Sequence, residues 1–421
     1  MQTHSHAPTQ PRSSPRPPER HVADEAADLA ACRDSLRNGS RTFLAASLLL
    51  PRAVRQPACA LYAFCRMADD EVDGDGGHRD AVGDLRRRLA RIYHGEPLPV
   101  ASDRALAGVI ARFAIPRELP EALLEGFEWD AEGRRYETLE ELQAYAARVA
   151  GTVGAMMALL MGVRSPEGLA RACDLGVAMQ LSNIARDVGE DARMGRIYLP
   201  LGWLRAAGIA PEAWLADPRY SDALGSVVQR LLRQADGLYE RVDAGVARLP
   251  LACRPGINAA RFLYAGIGHE VARRGLDSVS RRAVVPPRRK AWLLARALVA
   301  LAPASPPVAA PPLEAARFLV EAVSAAPAPV RARPCPIAWR KPADRVVWLI
   351  NLFERLERRD QLQRSASVSC RPPQRLRLPR SLHAAGPAHR RRNSARIRGA
   401  ACLGGLGTRL AAARAGARPG A

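Results

Sequence analysis

The feature that most constrains this 421-residue chain is a helical hydrophobic pattern that continues from about residue 23 to about residue 300. Apolar residues recur three and four positions apart, as at Leu85, Leu89 and Ile92, which places them on one face of a helix. Prolines fall between these stretches, where they begin or end helices. We find no sustained alternation of apolar and polar residues. The pattern therefore predicts an all-α fold.

Composition indicates a large interior built mostly of aliphatic side chains. Hydrophobic residues make up 48% of the chain and aromatic residues only 5%, so Ala, Leu and Val supply most of the apolar mass, which favours helices over sheets. The eight cysteines are scattered, with no Cys-x-x-Cys and no histidine cluster at zinc spacing. We therefore expect neither a zinc site nor a disulfide framework.

Changes in composition divide the chain into one folded domain and several flanking regions. The predicted regions are a disordered Pro/Ser-rich stretch (1–22), an all-α catalytic domain (23–300), a Pro/Ala-rich linker with one short helix at 313–325 (301–342), an amphipathic helix (343–360) and an Arg-rich tail (361–421). The tail has no periodicity. It indicates either a disordered basic extension or the product of out-of-frame translation.

The formal charge of +21 suggests a partner of opposite charge, but most of it lies in the tail. Residues 361–421 contain 13 Arg and no acidic residue, whereas residues 1–360 carry 50 basic and 42 acidic residues, a formal charge of +8. A charge of +8 is compatible with anionic substrates or an anionic membrane surface. We expect no nucleic-acid partner. A basic membrane- or nucleic-acid-binding protein is the non-enzyme alternative, and it predicts that deleting the tail abolishes function.

No segment predicts export or insertion into a membrane. Residues 1–24 lack the apolar core of a signal peptide. The longest apolar run, residues 151–163, is 13 residues long, and about 20 are needed to span a bilayer. We therefore expect a cytoplasmic protein, with peripheral contact at the inner face of the membrane.

Two acidic stretches indicate chemistry, and the first lies on a predicted helix. Tyr62, Arg66, Asp69 and Asp73 are three or four positions apart, so they share one helix face. Acidic residues this close repel one another, and a bound polycation removes that cost. Taken alone, the stretch is equally compatible with the solvated acidic end of a helix.

The second stretch repeats the pattern on another helix. Gln180, Asn183, Asp187 and Asp191 are again three or four positions apart, and carboxylate and amide oxygens are the ligands that Mg²⁺ and Mn²⁺ prefer. Two such faces opposed across a cavity would hold several ions on a diphosphate. The predicted metal ligands are Asp69, Asp73, Asn183, Asp187 and Asp191. The arginines predicted to hold phosphate oxygens are Arg66, Arg186 and Arg196.

The residues around both stretches resemble the squalene/phytoene synthase family. The resemblance covers roughly residues 30–300 and is closest to its bacterial phytoene-forming branch. The segments that carry it are Gly39-Ser-Arg-Thr-Phe43, Tyr62-Ala-Phe-Cys-Arg66, Tyr145-Ala-Ala-Arg-Val-Ala-Gly-Thr-Val-Gly154, Leu175-Gly-Val-Ala-Met-Gln180, Asn183-Ile-Ala-Arg-Asp187, Arg196-Ile-Tyr-Leu-Pro200 and Arg261-Phe-Leu-Tyr-Ala-Gly-Ile267.

The resemblance implies a single-domain helical bundle of the isoprenoid-synthase type around a central cavity. It also implies a Mg²⁺- or Mn²⁺-dependent transferase that condenses two geranylgeranyl diphosphates head to head, through prephytoene diphosphate, to phytoene in carotenoid biosynthesis, without NADPH. The residues it assigns to diphosphate binding are Ser40, Tyr62, Arg66, Tyr145, Gln180, Asn183, Arg186, Arg196 and Tyr198. Those it assigns to catalysis are Asp69, Asp73, Asp187, Asp191 and Tyr264.

Two other enzyme interpretations stay open. One is a dehydrosqualene or presqualene diphosphate synthase that uses farnesyl diphosphate. The other is a head-to-tail chain-elongating synthase, although that class is expected to carry Asp-Asp-x-x-Asp twice, and the second motif here is Asp187-x-x-x-Asp191. Ser47, a small residue one turn after Phe43, is interpreted as leaving room for a long chain.

Two further segments allow more than one interpretation. Asp130, Arg135 and Tyr136 match a polar stretch of the family, but the surface end of a helix explains them equally well. Gly151 and Gly154 either form part of a cavity wall or allow two helices to pack closely.

Overall fold

The computed structural model describes residues 19–39, 41–72, 78–300 and 310–327. Over these residues the chain forms fifteen α-helices, one π-helical segment (Ala147–Gly151) and one 3₁₀ turn (Glu314–Ala316), without a β-strand, which confirms the predicted all-α fold. The helices are α1 (Glu19–Gly39), α2 (Arg41–Leu48), α3 (Arg52–Val72), α4 (His78–Tyr93), α5 (Ala101–Phe113), α6 (Glu118–Ala131), α7 (Leu139–Ala146), α8 (Thr152–Leu160), α9 (Pro166–Arg193), α10 (Leu201–Ala206), α11 (Pro211–Ala216), α12 (Asp222–Arg248), α13 (Arg254–Arg273), α14 (Pro287–Val299) and α15 (Arg317–Ala325).

The two longest helices that form the centre of the bundle, α9 and α12, follow directly from the sequence pattern. The Ser165 side chain caps the first turn of α9 by accepting a hydrogen bond from the Gly168 amide, and Ser221 caps α12 in the same way. Along α12 the buried residues recur every three or four positions, at Leu224, Val228, Leu231, Ala235, Leu238 and Val242. No helix in the described part of the chain is long and apolar enough to cross a membrane.

The glycine-rich segment after α7 lets α8 pack very closely against α9. A Cβ atom on Gly154 would lie 2.1 Å from the Ala172 carbonyl oxygen, so only glycine allows this approach. Gly154 and its neighbour Val153 also line the central cavity. Both interpretations of this segment therefore hold, because the glycine that packs the helices also forms cavity wall.

The folded region extends beyond the predicted domain at both ends. Helix α1 begins at Glu19, inside the stretch predicted to be disordered. The short helix predicted at 313–325 is present as the 3₁₀ turn and α15, and it buries Leu319 and Val323 against the bundle. Residues 310–327 are therefore part of the fold and not a spacer. The predicted helix 343–360 and the tail 361–421 lie outside the described residues.

A central cavity runs between α2, α3, α8, α9, α12 and α13. The empty space along it is about 1280 Å³, which includes space open to solvent, and its walls are mostly Ala, Gly, Val, Leu and Met. Helix α9 lines it from Gly168 to Asn183. At 1.5 Å per residue this length is about 22 Å, so the cavity is a long apolar tunnel alongside α9.

Candidate active site

The two predicted polar faces border one end of this tunnel. From α3, Tyr62 lines the cavity, and from α9, Gln180 and Asn183 do so; Tyr264 of α13 completes this polar end. Asp69 and Asp187 lie one to two turns further along the same helices, toward the ends of α3 and α9. The geometry therefore places an acidic mouth on an apolar tunnel.

On the α3 side, Asp69 is buried, with only 3% of its surface exposed. Arg66 donates a 3.3 Å hydrogen bond to the Asp69 carboxylate and contacts Asp70 at 2.7 Å. The Tyr62 ring stacks on Phe43 at 5.5 Å between ring centres, and its buried hydroxyl has no hydrogen-bond partner among the described residues. Two further predicted site residues, Asp73 and Ser40, lie outside the described residues.

On the α9 side, Arg186 and Asp187 form a buried ion pair, in which Nε donates a 2.7 Å hydrogen bond to Oδ1. The Oδ1 atom of Asn183, one turn earlier, is buried without a hydrogen-bond partner in the described part of the chain. Burial, and next the charge of Asp187, raise the pKa of Asp191 well above its ordinary value. A buried acceptor without a donor and a carboxyl whose charge is penalised are both features that a bound cation would explain.

A third arginine reaches this side from a distant loop. Arg282 contacts Asp187 through Nε at 2.8 Å and Glu190 through Nη1 at 3.2 Å. Gly189 makes the approach possible, because a Cβ atom there would lie 2.3 Å from the Val279 carbonyl oxygen. The sequence prediction missed Arg282. A glycine inside a helix, between the two aspartates predicted to bind metal, was the available signal of a close backbone approach.

A buried cluster of tyrosines surrounds Asp130 next to this site. Asp130 is 7% exposed and accepts hydrogen bonds from the hydroxyls of Tyr145 at 2.8 Å and Tyr198 at 2.7 Å. The fully buried Tyr136 ring packs on Tyr145 at 5.2 Å between ring centres. The interpretation of Asp130 and Tyr136 as a surface helix end is therefore wrong, and it holds only for Arg135, which contacts Glu212 at the surface.

This cluster changes how two predicted diphosphate-binding residues are understood. The hydroxyls of Tyr145 and Tyr198 are engaged with the Asp130 carboxylate, so their direct contact with a diphosphate stays a prediction. Both Asp130 and Arg196 act electrostatically on Asp191, and the amide of Arg196 donates to the Asp191 carbonyl oxygen at 2.9 Å. The structure thus brings Arg196, Asp191 and the tyrosine cluster together at the end of α9.

Tyr264 lies on the cavity wall between the two polar faces and is buried. Burial raises its pKa above the ordinary value, an effect that the nearby Arg186 opposes. Tyr62 behaves in the same way: burial raises its pKa and Arg66 opposes the shift. Both phenols are therefore protonated at neutral pH, which makes them hydrogen-bond donors and not bases.

The donor set fits hard divalent cations, but a bound ion would need more than protein ligands. Among the described residues, no three His, Cys, Asp or Glu side chains lie close enough together to hold one ion. Mg²⁺ is usually bound through one or two carboxylates, with phosphate oxygens and water completing its shell. Asp187 and Asp191, with the unpartnered amide oxygen of Asn183, match that requirement.

Comparison with known proteins places these residues in a family. The sequence pattern of the family described as squalene/phytoene synthase matches residues 36–290. The phytoene synthase of Rhodobacter capsulatus is 55% identical over 306 residues, which are 71% of this chain and 90% of that protein. That of Cereibacter sphaeroides is 54% identical over 323 residues, which are 73% of this chain and 89% of that protein.

Solved structures agree with the sequence comparison. A dehydrosqualene synthase in complex with a ligand has a TM-score of 0.60 and 32% identity, covering 66% of this chain and 97% of that chain. A squalene synthase from Alicyclobacillus acidocaldarius has a TM-score of 0.56 and 26% identity, covering 60% of this chain and 96% of that chain. The chain belongs to the squalene/phytoene synthase family.

Proposed function

We propose that this chain condenses two molecules of geranylgeranyl diphosphate head to head, through prephytoene diphosphate, to phytoene, a step of carotenoid biosynthesis. One observation carries the proposal: a long apolar tunnel ends between the polar faces of α3 and α9, and aspartates and arginines lie on those faces. The curated relatives at 54% and 55% identity are named phytoene synthases, which supports a C20 substrate.

Diphosphate binding at the mouth follows from the ion pairs observed there. Arg66, Arg186 and Arg282 each contact a carboxylate of the mouth. A diphosphate offers these guanidiniums stronger bidentate acceptors, and the released carboxylates are then available to cations. Binding therefore exchanges arginine–aspartate pairs for arginine–phosphate and cation–aspartate contacts.

Asp69, Asp187, Asp191 and Asn183 are the described residues that would hold Mg²⁺ or Mn²⁺. Such ions neutralise the negative charge that develops on a departing diphosphate. The three arginines act on the same charge from fixed positions. Tyr62 and Tyr264, both protonated phenols on the cavity wall, would donate hydrogen bonds to diphosphate oxygens.

The reaction proceeds in two ionisations inside the tunnel. The C1–O bond of one substrate breaks, and the C2–C3 double bond of the second attacks the allylic cation. Loss of a proton closes the cyclopropane ring of prephytoene diphosphate. The second C–O bond then breaks, the ring rearranges and opens, and loss of another proton forms the central double bond. The balance is two diphosphates and two protons released, with no reductant consumed.

The walls and the leaving group complete the mechanism. The tunnel is lined mostly by aliphatic side chains and glycines, which keep water away from the cations. The neutral phenols of Tyr62 and Tyr264 are poor bases. The released diphosphate, held beside the cation by the arginines, is the proposed proton acceptor.

The experiment is incubation of the purified full-length chain with labelled geranylgeranyl diphosphate and Mg²⁺, with and without NADPH. We expect a C40 hydrocarbon under both conditions, and no C40 product under either would contradict the proposal. Parallel incubation with farnesyl diphosphate tests the dehydrosqualene alternative, which predicts faster formation of a C30 product than of a C40 product. Deleting residues 361–421 tests the non-enzyme alternative, because the enzyme proposal predicts unchanged turnover.

Peripheral membrane contact of the cytoplasmic protein is the second part of the proposal, because a C40 hydrocarbon must leave for an apolar phase. Arg288, Trp292, Arg296 and Val299 share one face of α14 and are exposed, Trp292 by 59%. A basic helix face with an exposed tryptophan suits an anionic membrane surface. We expect the full-length chain to float with vesicles containing anionic lipid, and Trp292→Ser to float less. Equal flotation of the two proteins would contradict this assignment.

A further inference from the structure

The far end of the tunnel carries a second charged cluster, remote from the mouth. Arg171 of α9 lines the cavity and is only 3% exposed. It lies twelve residues before Asn183, a distance of about 18 Å along the helix. Met161, just after α8, and Leu249, just after α12, line the same end. An arginine on the tunnel wall at this end, remote from the polar mouth, requires an explanation.

The Arg171 guanidinium makes three hydrogen bonds, all to residues that do not line the tunnel. Its Nε donates to Asp174 at 2.7 Å, and its two terminal nitrogens donate to the carbonyl oxygens of Ala310 at 2.9 Å and Pro311 at 3.0 Å. Arg241 of α12 contacts the same Asp174 carboxylate at 2.9 Å and the same Pro311 carbonyl at 2.6 Å. Two guanidiniums therefore share one carboxylate and two carbonyl oxygens, and these contacts hold the Arg171 side chain in place.

The aliphatic stem of Arg171 is fixed as firmly as its head. A Cβ atom on Gly245 would lie 2.4 Å from the Arg171 Cβ, so α12 presses directly on the stem. A side chain held by three hydrogen bonds and by backbone packing cannot swing aside to admit a longer chain. A flexible methionine at this position would not impose the same limit.

We propose that Arg171, held by Asp174 and by the carbonyl oxygens of residues 310–311, is the stop that sets the upper length of the prenyl chain. The proposal rests on the proposed function. It assigns a role in substrate selection to residues 310–327, which lie beyond the region matched by the family. Arg171 contacts the hydrocarbon terminus, whereas Asp174 and the returning segment, which bind it directly, position it.

The test is a mixed incubation of geranylgeranyl diphosphate with geranylfarnesyl diphosphate, which is one five-carbon unit longer. The readout is the ratio of C45 to C40 hydrocarbon. The C45 product combines one C20 and one C25 chain, so it reports whether the single chain that reaches Arg171 can be longer. Arg171→Ala should raise this ratio about ten-fold or more, since it opens space for additional carbon atoms. The matched control is Arg241→Ala, which loses the same kinds of contact but does not line the cavity. Its ratio should equal that of the wild type.

Thermal unfolding of each variant accompanies the product analysis. If Arg171→Ala does not fold, the double variant Arg171→Ala/Asp174→Asn is tested in its place. The second substitution removes the buried carboxylate that would otherwise lose its Arg171 partner. An unchanged ratio, or an equal rise in Arg241→Ala, would overturn the proposal. A wild-type chain that makes C40 product separates this failure from failure of the proposed function; a wild type that makes none overturns both.

Discussion

The two ends of the tunnel are built from the same residue types and use them in opposite ways. At the mouth, Arg186 and Arg282 contact carboxylates, and Asn183 keeps a buried acceptor without a donor. At the far end, Asp174 Oδ1 is likewise a buried acceptor without a donor among the described residues, but Arg171 donates to two main-chain carbonyl oxygens as well as to the Asp174 carboxylate. The first arrangement can be exchanged for a ligand without leaving a broken backbone contact. The second cannot.

The difference shows that a buried arginine–aspartate pair is not by itself a sign of function or of stability. What decides is which other groups the pair satisfies. A pair of side chains alone can separate when stronger ligands arrive, whereas a pair that also holds the backbone fixes the chain. Four substitutions test this contrast, from the largest expected effect to the smallest.

The largest effect is expected for Asp187→Asn at the mouth. The amide keeps the size of the side chain but removes the charge that two arginines and a cation share, so turnover should fall about 10²–10³-fold. The measurement is the rate of C40 formation, with circular dichroism to verify folding. Glu167→Gln, which changes an exposed acid at the start of the same helix, is the control. A comparable loss of turnover in both variants would contradict the contrast between the mouth and the far end of the tunnel.

Arg282→Met should have the next largest effect. The variant keeps the length of the side chain and loses the guanidinium that contacts Asp187 and Glu190, so turnover should fall roughly 10–100-fold. Its exposed neighbour gives the control Arg281→Met. If both variants retain full turnover, Arg282 is only a surface contact, and the mouth has two functional arginines and not three.

A change along the tunnel wall should alter selection more than rate. Ser47 lines the cavity and its hydroxyl donates to the Leu44 carbonyl oxygen at 2.8 Å. A phenylalanine there would occupy space that the longer chain needs, so Ser47→Phe should shift the preference toward C15 over C20 substrate by about ten-fold. Competition between the two substrates measures the shift. Ser47→Ala, which keeps the space, should leave the preference as it is.

The smallest effect on turnover is expected for Asp130→Asn, beside the mouth. An amide accepts from one of the two phenols that Asp130 now binds and leaves the other without an acceptor. The free energy of unfolding should fall by about 1–3 kcal/mol, as measured by denaturant titration. Arg135→Gln, at the surface nearby, should cost much less. A stable Asp130→Asn protein with abolished turnover would instead indicate direct contact with substrate.

Sequence patterns predicted what depends on helical periodicity and missed what depends on distant contacts. The faces of α3 and α9 follow from spacings of three and four, and Tyr62 and Asn183, which were predicted on these faces, both line the cavity. Arg282 meets Asp187 from 95 residues away, and Arg171 meets Pro311 from 140 residues away. No local spacing encodes such pairs.

The burial of individual polar side chains also could not be predicted from the sequence. Asp130 and Arg135 are five residues apart in one polar stretch, yet one is buried and the other lies at the surface. The outcome is set by Tyr145 and Tyr198, which come from other parts of the chain. Polar character alone therefore could not separate the buried residue from the surface residue.

The central claim is that the ion pairs at the mouth give way to a cation-bound diphosphate while those at the far end do not. Isothermal titration of inorganic diphosphate into the full-length chain, with and without Mg²⁺, tests it most directly. We predict Mg²⁺-dependent binding that Asp187→Asn and Arg282→Met weaken at least about ten-fold and that Arg241→Ala leaves unchanged. Equal binding by wild type and Asp187→Asn, or equal weakening by Arg241→Ala, would contradict the account.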